Sequence, residues 1–401
     1  MESSTAPLRL KKKEERRLRG GHLWVFSNQV DTAATPLQGF VPGQPVIVEA
    51  HNGKPLGSGY VNPHSLICAR LVSRDPKHGL DRSLLIHRLK VALSLRERLY
   101  DRPCYRLVHG EGDFLPGLVV DRFGDGVVVQ IGTAGMEAVR EALVEALDKV
   151  IRPSWIVFRN EAEVREQEVL ALYTEQVGGG EAPETVAVEE NGLSFRAPLL
   201  EGQKTGWFYD HRDNRARLAA QVAGLRVLDV YSYVGGFAVA AAAGGAREVF
   251  AVDRSGAALD HLQANADAAG VGDRVTALEG DAVDALKALR EERERFDVVV
   301  LDPPAFIKRR KDMESGMNGY RRVNQLAMQL LSRDGLLLSA SCSHHLETAR
   351  LQELMLGRAR HIDRELVITG QGHQGADHPV HPAIPETAYL KALFARVLPT
   401  Q

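Results

Sequence analysis

Two apolar runs in this sequence end in groups that can do chemistry. FDVVVLDPPAF (296–306) is a β-branched stretch that stops at Asp302-Pro303-Pro304, and LLLSASCS (336–343) stops at Cys342. Runs of this length and composition read as strands buried on both faces. Two prolines cannot continue a ladder, so the chain must leave the sheet at Asp302. That puts a carboxylate at the carboxyl end of a central strand, where open α/β sheets bind ligands. Taken alone, 296–306 reads equally well as an ordinary strand with a Pro-Pro turn, and a lone cysteine as a small buried hydrophobe. Together, at neighbouring strand ends, they suit covalent catalysis, with the thiolate as nucleophile and the carboxylate moving a proton. His344 and His345, just beyond Cys342, are left as hydrogen-bonding neighbours.

Those groups need a sheet to position them, and the preceding residues supply its pattern. VLDVYSYVGGFAV places Asp229 at a strand end, followed by Gly235-Gly236 opening an alanine-rich helix, and VFAVDRS ends at Asp253. Asp281 lies just past a third strand, so Asp229, Asp253, Asp281 and Asp302 follow successive strands. A glycine turn with an acid roughly 20 residues later is a nucleotide-binding layout, the acid accepting from a ribose. The turn is not G-x-G-x-x-G, and Tyr231 and Tyr233 crowd the pyrophosphate position, so a dinucleotide fits poorly. S-adenosylmethionine, which has a ribose and adenine but no phosphate, fits the looser turn. A thiolate beside a methyl donor points to C5 of a pyrimidine, a poor nucleophile until sulfur adds at C6. Asp302 would then bond the ring nitrogen and amino edge of a cytosine and supply a proton. Such a base must be single-stranded or flipped out. Phe306, Trp207 and Tyr233 are stacking candidates, each more often plain core.

The chain has 401 residues and net charge −2, with 25% charged residues. That suits two or three domains of an ordinary globular protein. A polyanion would have to meet a local basic surface, because the global charge offers no attraction. Cys68, Cys104 and Cys342 make no framework, so neither a structural disulfide nor a zinc site is expected, and the compartment reads as reducing. The N-terminus is charged where a signal peptide needs an apolar core, and no apolar run reaches membrane-spanning length. A cytoplasmic protein with no membrane partner is expected.

Residues 1–74 read as a small β-rich module. Leu8 to Arg19 carries Arg9, Lys11, Lys12, Lys13, Arg16, Arg17 and Arg19, followed by GGHLWVFSNQV. Cations beside glycines and an aromatic pair, Trp24 and Phe26, suit an RNA surface, although a charge run is more often a solvated face. Asn52-Gly53 suits a two-residue hairpin turn, and Cys68 reads as core. Residues 75–185 read as α+β: a helix over 84–99, strands over 105–109, 118–121 and 126–132, a helix over 136–150 and a strand over 154–159. HGEGDFLPGLVVDRFGDG reads there as turn chemistry. Val177 to Thr185 is a flexible boundary. Residues 186–401 alternate strands (226–231, 248–252, 274–278, 296–301, 336–341) with helices, one capped by Ser255. A final antiparallel pair is expected over 365–369 and 389–397.

With these residues assembled, the chain resembles the bacterial 23S rRNA 5-methylcytosine methyltransferases that carry an N-terminal PUA domain. The resemblance covers nearly the whole chain and rests on the basic run with GGHLWVFS, EGDFLPGLVVDRFGD, EGQKTGWFYDHRDNR, VYSYVGGFAV, LDPPAF, SCSHHL and ADHPV…PETAYLK. It implies an α/β protein: a class I, Rossmann-like methyltransferase fold behind a PUA domain and a central α+β domain. It implies S-adenosylmethionine as cofactor, and 23S rRNA or a large-subunit assembly intermediate as partner; the architecture also admits a homodimer. It places Lys204, Thr205, Gly206 and Asp210 over the cofactor, Asp229, Ser232, Gly235 and Gly236 along its methionine side, Asp253 at the ribose and Asp281 by the adenine, with Cys342 as nucleophile. The chain departs from the pattern at Ala305, where many relatives carry lysine. Three other readings compete: transfer to an exocyclic amine or ring nitrogen of RNA, for which Cys342 has no use; a non-catalytic RNA-binding scaffold; and a dehydrogenase, for which nothing supplies the phosphate-binding turn.

Overall fold

Strand pairing starts inside the basic N-terminal run. Ala6–Arg9 (β1) lies parallel to Gln44–Glu49 (β3), and the pair belongs to a five-stranded sheet of order β1-β3-β4-β5-β2. The other members are Trp24–Val25 (β2), Pro55–Val61 (β4) and Ala69–Ser73 (β5), and a short helix, Glu15–Arg19 (α1), connects β1 and β2. Leu8, Val25, Val46, Val48, Val61 and Cys68 form its core, with Ile384 from the far end of the chain. The computed structural model describes residues 5–400, which divide into two compact units. Unit 1 takes the chain to Glu184 together with residues 199–205 and 376–387; unit 2 takes 185–198, 206–375 and 388–401.

The expected two-residue turn at Asn52-Gly53 is longer. Ala50 N–H donates to Lys54 O and Gly53 N–H to Ala50 O, with Gly53 at φ +79°, so three residues bridge the strands and Gly53 takes the left-handed position. A true two-residue hairpin occurs elsewhere, at Asn191-Gly192. Both residues have positive φ (52° and 79°) and Glu190 pairs with Leu193, the mirror-image turn that Asn-Gly favours.

The second sheet of unit 1 has the order β10-β9-β8-β7-β6. Its strands are Cys104–His109 (β6), Leu118–Phe123 (β7), Gly126–Ile131 (β8), Trp155–Asn160 (β9) and Tyr173–Gly179 (β10). Arg82–Leu99 (α2), N-capped by Asp81 on the Leu84 amide, packs on it with Ala134–Ala138 (α3) and Arg140–Ile151 (α4). The single helix expected over 136–150 is thus two, broken where Val139 leaves helical geometry (φ −110°, ψ 20°). The boundary expected over 177–185 begins inside β10, which pairs with β9 to Gly179 across a bulge at Gly178. A further short helix, Val164–Gln167 (α5), precedes β10.

Unit 1 buries several complete ion pairs. Arg96 is fork-bonded to Asp113 (2.6 and 2.7 Å) and also donates to the carbonyls of Arg106 and Asp377. Arg106 holds Asp121 through two 2.8 Å bonds, and Thr205 Oγ1 donates to the same carboxylate at 2.6 Å. The acidic stretch around 109–126, expected as turn chemistry, therefore supplies anchors for the core.

Unit 2 opens with the hairpin Thr185–Glu190 (β11) and Leu193–Pro198 (β12) and Arg212–Ala219 (α6). Its seven-stranded sheet has the order β15-β14-β13-β16-β17-β19-β18. Arg226–Val230 (β13), Glu248–Asp253 (β14), Val275–Glu279 (β15), Phe296–Leu301 (β16) and Leu331–Ser341 (β17) run parallel. Arg364–Gly372 (β18) and Lys391–Pro399 (β19) form the expected antiparallel pair, β19 lying antiparallel to β17 as well. Gly236–Ala243 (α7), Gly256–Ala268 (α8), Ala282–Glu291 (α9), Met313–Leu330 (α10) and Thr348–His361 (α11) fill the crossovers. Val227, Leu228, Val298, Val299 and Val300 are fully buried, as strands covered on both faces require. Ser255 caps α8, accepting from the Ala258 amide, as the sequence predicts.

Candidate active site

The carboxyl ends of β13, β14 and β16 converge on the turn that follows β13. Tyr231, Tyr233 and Gly235 all have positive φ (71°, 50° and 91°). Such backbone is costly for tyrosine and persists where the surroundings over-determine it. Here the Tyr231 and Ser232 amides both donate to Val252 O, and the Tyr233 amide donates to Asp253 Oδ2 at 2.9 Å. Gly235 cannot be replaced, since a Cβ would lie 2.8 Å from Leu262 as well as at that φ.

Asp229, at the tip of β13, is the least satisfied group of the sheet. It is 1% exposed, and neither carboxylate oxygen has a hydrogen-bond partner among the described residues. Burial pushes its pKa up to about 8, and the charges of Asp302 and Asp253 push the same way; the nearby Ala238 amide pulls against them without completing a hydrogen bond. Ser232 Oγ, buried in the same turn, is also without a partner. Buried polar groups are ordinarily hydrogen-bonded, so this pair of orphans marks where a ligand with donors would sit. Asp253 is different: its two oxygens take the Tyr233 and Ser255 amides, which fix its orientation. Asp281 caps α9, accepting from Val283 and Asp284.

Asp302 leads to a residue that the sequence did not single out. His211 Nε2 lies 3.1 Å from its Oδ1, and His211 Nδ1 meets the amide of Asn214 at 3.1 Å. His211 is fully enclosed. Burial opposes its protonated form, but the charge and hydrogen bond of Asp302, with Asp210 behind, outweigh burial and raise its pKa. Asp210 is itself held in unit 2, by Tyr389 Oη at 2.6 Å and by the Gly375 amide on its carbonyl. Gly206 accepts from Tyr233 Oη on its carbonyl. Lys204 and Thr205 belong to unit 1. The buried hydroxyl of Thr205 is engaged with Asp121, so the four residues expected over the cofactor do not gather within one unit.

Cys342 follows β17 directly, and its backbone is pinned from both sides. Tyr320 Oη contacts the hydroxyls of Ser341 (2.8 Å) and Ser343 (2.9 Å), and Ser343 Oγ accepts from Ile307 of the loop after Asp302. Cys342 is partly exposed, whereas Cys68 and Cys104 are buried, and burial drives the Cys68 thiol up to about 12. Lys391, the last residue of the PETAYLK stretch, stands across the ladder from Ser341 and reaches Ser343 O at 2.6 Å and Tyr389 O at 2.7 Å. Of the stacking candidates, Trp207 is buried, donating to Glu190 beneath Arg215, whereas Tyr233 and Phe306 are partly exposed. Phe306 lies against Tyr320. Lys308, Arg309 and Arg310, three to five residues beyond Ala305, are exposed. Among the described residues no helix is long and apolar enough to cross a membrane.

Comparison with known proteins places these features in context. A family model described as S-adenosylmethionine-dependent methyltransferase matches residues 105–396, and one described as a PUA-like domain matches residues 8–74. The chain is 36% identical over 394 residues to a protein of Cronobacter sakazakii named ribosomal RNA large subunit methyltransferase I, covering 97% of this chain and 98% of that one. It is 37% identical over 401 residues to a Photobacterium profundum protein of the same name, covering 98% and 100%. A Streptococcus mutans structure described as a SAM-dependent methyltransferase superposes with TM-score 0.82 at 21% identity, over 98% of this chain and all of that one. The structure of SMU.776, described as a methyltransferase complexed with SAH, gives TM-score 0.84 at 22% identity over 98% of this chain and all of that one.

Proposed function

Since the chain belongs to the S-adenosylmethionine-dependent methyltransferases that carry a PUA-like domain, we propose that it methylates C5 of a cytosine in 23S rRNA through a covalent adduct to Cys342. The observation that carries the reading is the pair of neighbouring strand ends. β16 stops at Asp302, its parallel neighbour β17 stops one residue before a partly exposed Cys342, and serine hydroxyls and Tyr320 fix the backbone between them.

The orphaned oxygens of Asp229 and Ser232 fit the amino-acid end of the cofactor, the oriented carboxylate of Asp253 fits its ribose, and Asp281 is read as the residue beside the adenine. When bound, S-adenosylmethionine supplies an electrophilic methyl for the carbon that the thiolate has activated. Cys342 Sγ bonds to C6 of the ring, and the C5–C6 π pair moves to C5. Asp302 bonds the ring nitrogen and amino edge and delivers the proton gained there, with His211 on its outer oxygen as the reserve donor. After C5 has been alkylated, a base takes its proton, the sulfur–C6 bond breaks to restore the thiolate, and the ring nitrogen returns its proton to Asp302. The target must be presented out of a duplex. Lys11, Lys12, Lys13, Arg16, Arg17 and Arg19 are exposed, while Glu14 between them is held by Gln29, leaving a cationic face for phosphates. That face, residues 1–74, is read as the RNA-binding module, 75–185 as a connecting module and 186–401 as the catalytic one, working in the cytoplasm on 23S rRNA or a large-subunit assembly intermediate.

Labelled S-adenosylmethionine, rRNA from cells lacking the enzyme, and wild-type or Cys342→Ala protein test this directly. Label in 5-methylcytidine, lost by at least 1,000-fold in Cys342→Ala, is the expected outcome. Label in an amine-methylated nucleoside that survives the substitution sinks the thiol route. Binding of S-adenosylmethionine with no transfer to either naked rRNA or assembly particles makes the chain a scaffold.

A further inference from the structure

Lys391 is an ammonium in an unusual place. It is 9% exposed, lies within a seven-stranded sheet, and pairs with no carboxylate among the described residues. Its hydrogen bonds go to two backbone carbonyls, Ser343 O and Tyr389 O, which anchor Nζ one residue from Cys342. Carbonyls offer only partial charges, and a buried cation is ordinarily retained where an anion answers it. We propose that Lys391 is a positioning residue for the nucleophile: its ammonium, fixed by β19 against the end of β17, holds the Cys342 sulfur as a thiolate. The inference rests on the reading of Cys342 as the nucleophile.

The surroundings favour this pairing over others. The titratable groups about the strand end are Tyr320 on α10, His344 beyond Cys342, Tyr389 against His344, and Asp302 with His211 at the adjacent strand. Tyr389 is hydrogen-bonded to Asp210 and His211 to Asp302, whereas Lys391 Nζ is held on the carbonyl of the residue next to Cys342. Burial lowers the pKa of Lys391 to about 8, and the Cys342 charge is what holds it up. A thiolate is also the nucleophilic form of cysteine, and nearby lysine is a known way to populate it.

Alkylation of the full-length protein by iodoacetamide, followed at the Cys342 peptide across pH 5.5 to 10, reads the thiolate directly. In the wild type the midpoint should fall below the ordinary thiol value of about 8.5. Lys391→Met should raise it by about one pH unit and slow alkylation near pH 7 by about 10-fold, and Lys391→Arg should restore most of the loss. A wild-type midpoint at or above the ordinary value overturns the proposal even if Lys391→Met does not fold. An unchanged midpoint in a folded Lys391→Met does so as well. Wild-type protein mixed with rRNA containing 5-fluorocytosine, which blocks loss of the C5 substituent, separates this from the reading beneath it. No trapped adduct together with a lowered midpoint fails the cytosine reading and leaves the Lys391 pairing intact.

Discussion

Asp113 and Asp121 in unit 1 and Asp229 in unit 2 are buried carboxyl groups treated in opposite ways, although unit 2 also closes one buried fork, Arg215 on Glu190. In unit 1, Arg96 with Asp113 and Arg106 with Asp121 are closed networks in which each carboxylate is answered by a fork of guanidinium hydrogens. In unit 2, Asp229 is as deeply buried and has no hydrogen-bond partner among the described residues. A closed pair costs little once made but much to break, whereas an open one is carried as a standing penalty. A fold keeps such a penalty where a ligand removes it. The contrast separates carboxylates that hold the protein together from those that wait for a partner.

The largest expected effect lies on the structural side. Arg96→Met should destabilise unit 1 by about 3–5 kcal/mol, because it strands Asp113 without its fork; urea unfolding measures it, and a loss below about 1 kcal/mol would erase the contrast. Asp229→Asn should do the reverse in the ligand-free protein. The raised pKa of Asp229 means that the native state keeps a proton which the unfolded chain has released. Its stability contribution is therefore most favourable near pH 4 and is lost as pH rises toward about 8. The variant should remove that slope, gaining stability relative to the wild type as pH rises from 4 to 8, while losing cofactor affinity. A variant less stable than wild type across the whole range would show Asp229 to be an ordinary core group. The smallest effect belongs to Asp281, which already has its amides: Asp281→Ala should cost about 1 kcal/mol in thermal melts through the lost cap of α9. Cofactor affinity measured on the same variant sharpens the comparison, since a change confined to stability would move Asp281 to the structural side.

The strands of unit 2 were legible because a parallel sheet covered on both faces writes itself as apolar runs, and the acids at their ends are the first polar residues after each run. Cys342 and Asp302 could be read for the same reason. His211 and Lys391 could not. His211 lies in a short irregular stretch whose partner is 91 residues away, and Lys391 reaches Ser343 across an antiparallel ladder. No local periodicity encodes either meeting, although both residues lie inside stretches that carried the family resemblance. The Asn-Gly pairs show the limit in miniature: 52–53 and 191–192 share a dipeptide, but only the second is flanked by a register that accepts a two-residue turn. The transfer of residues 199–205 and 376–387 into unit 1 left no compositional trace, since their anchors are Arg159, Arg96 and Asp121, charged residues that a sequence reading assigns to the surface.

That last feature acquires a clock when the chain is made. Arg96 is synthesised early, but one of its buried acceptors, the carbonyl of Asp377, emerges 281 residues later. At 5–20 residues per second, that delay is roughly a quarter of a minute to a minute. The N-terminal portion therefore waits on the ribosome with an incompletely satisfied guanidinium and a hydrophobic core still lacking Ile384. Although β1 leaves the tunnel long before them, unit 1 can close only after residues 376–387 have emerged.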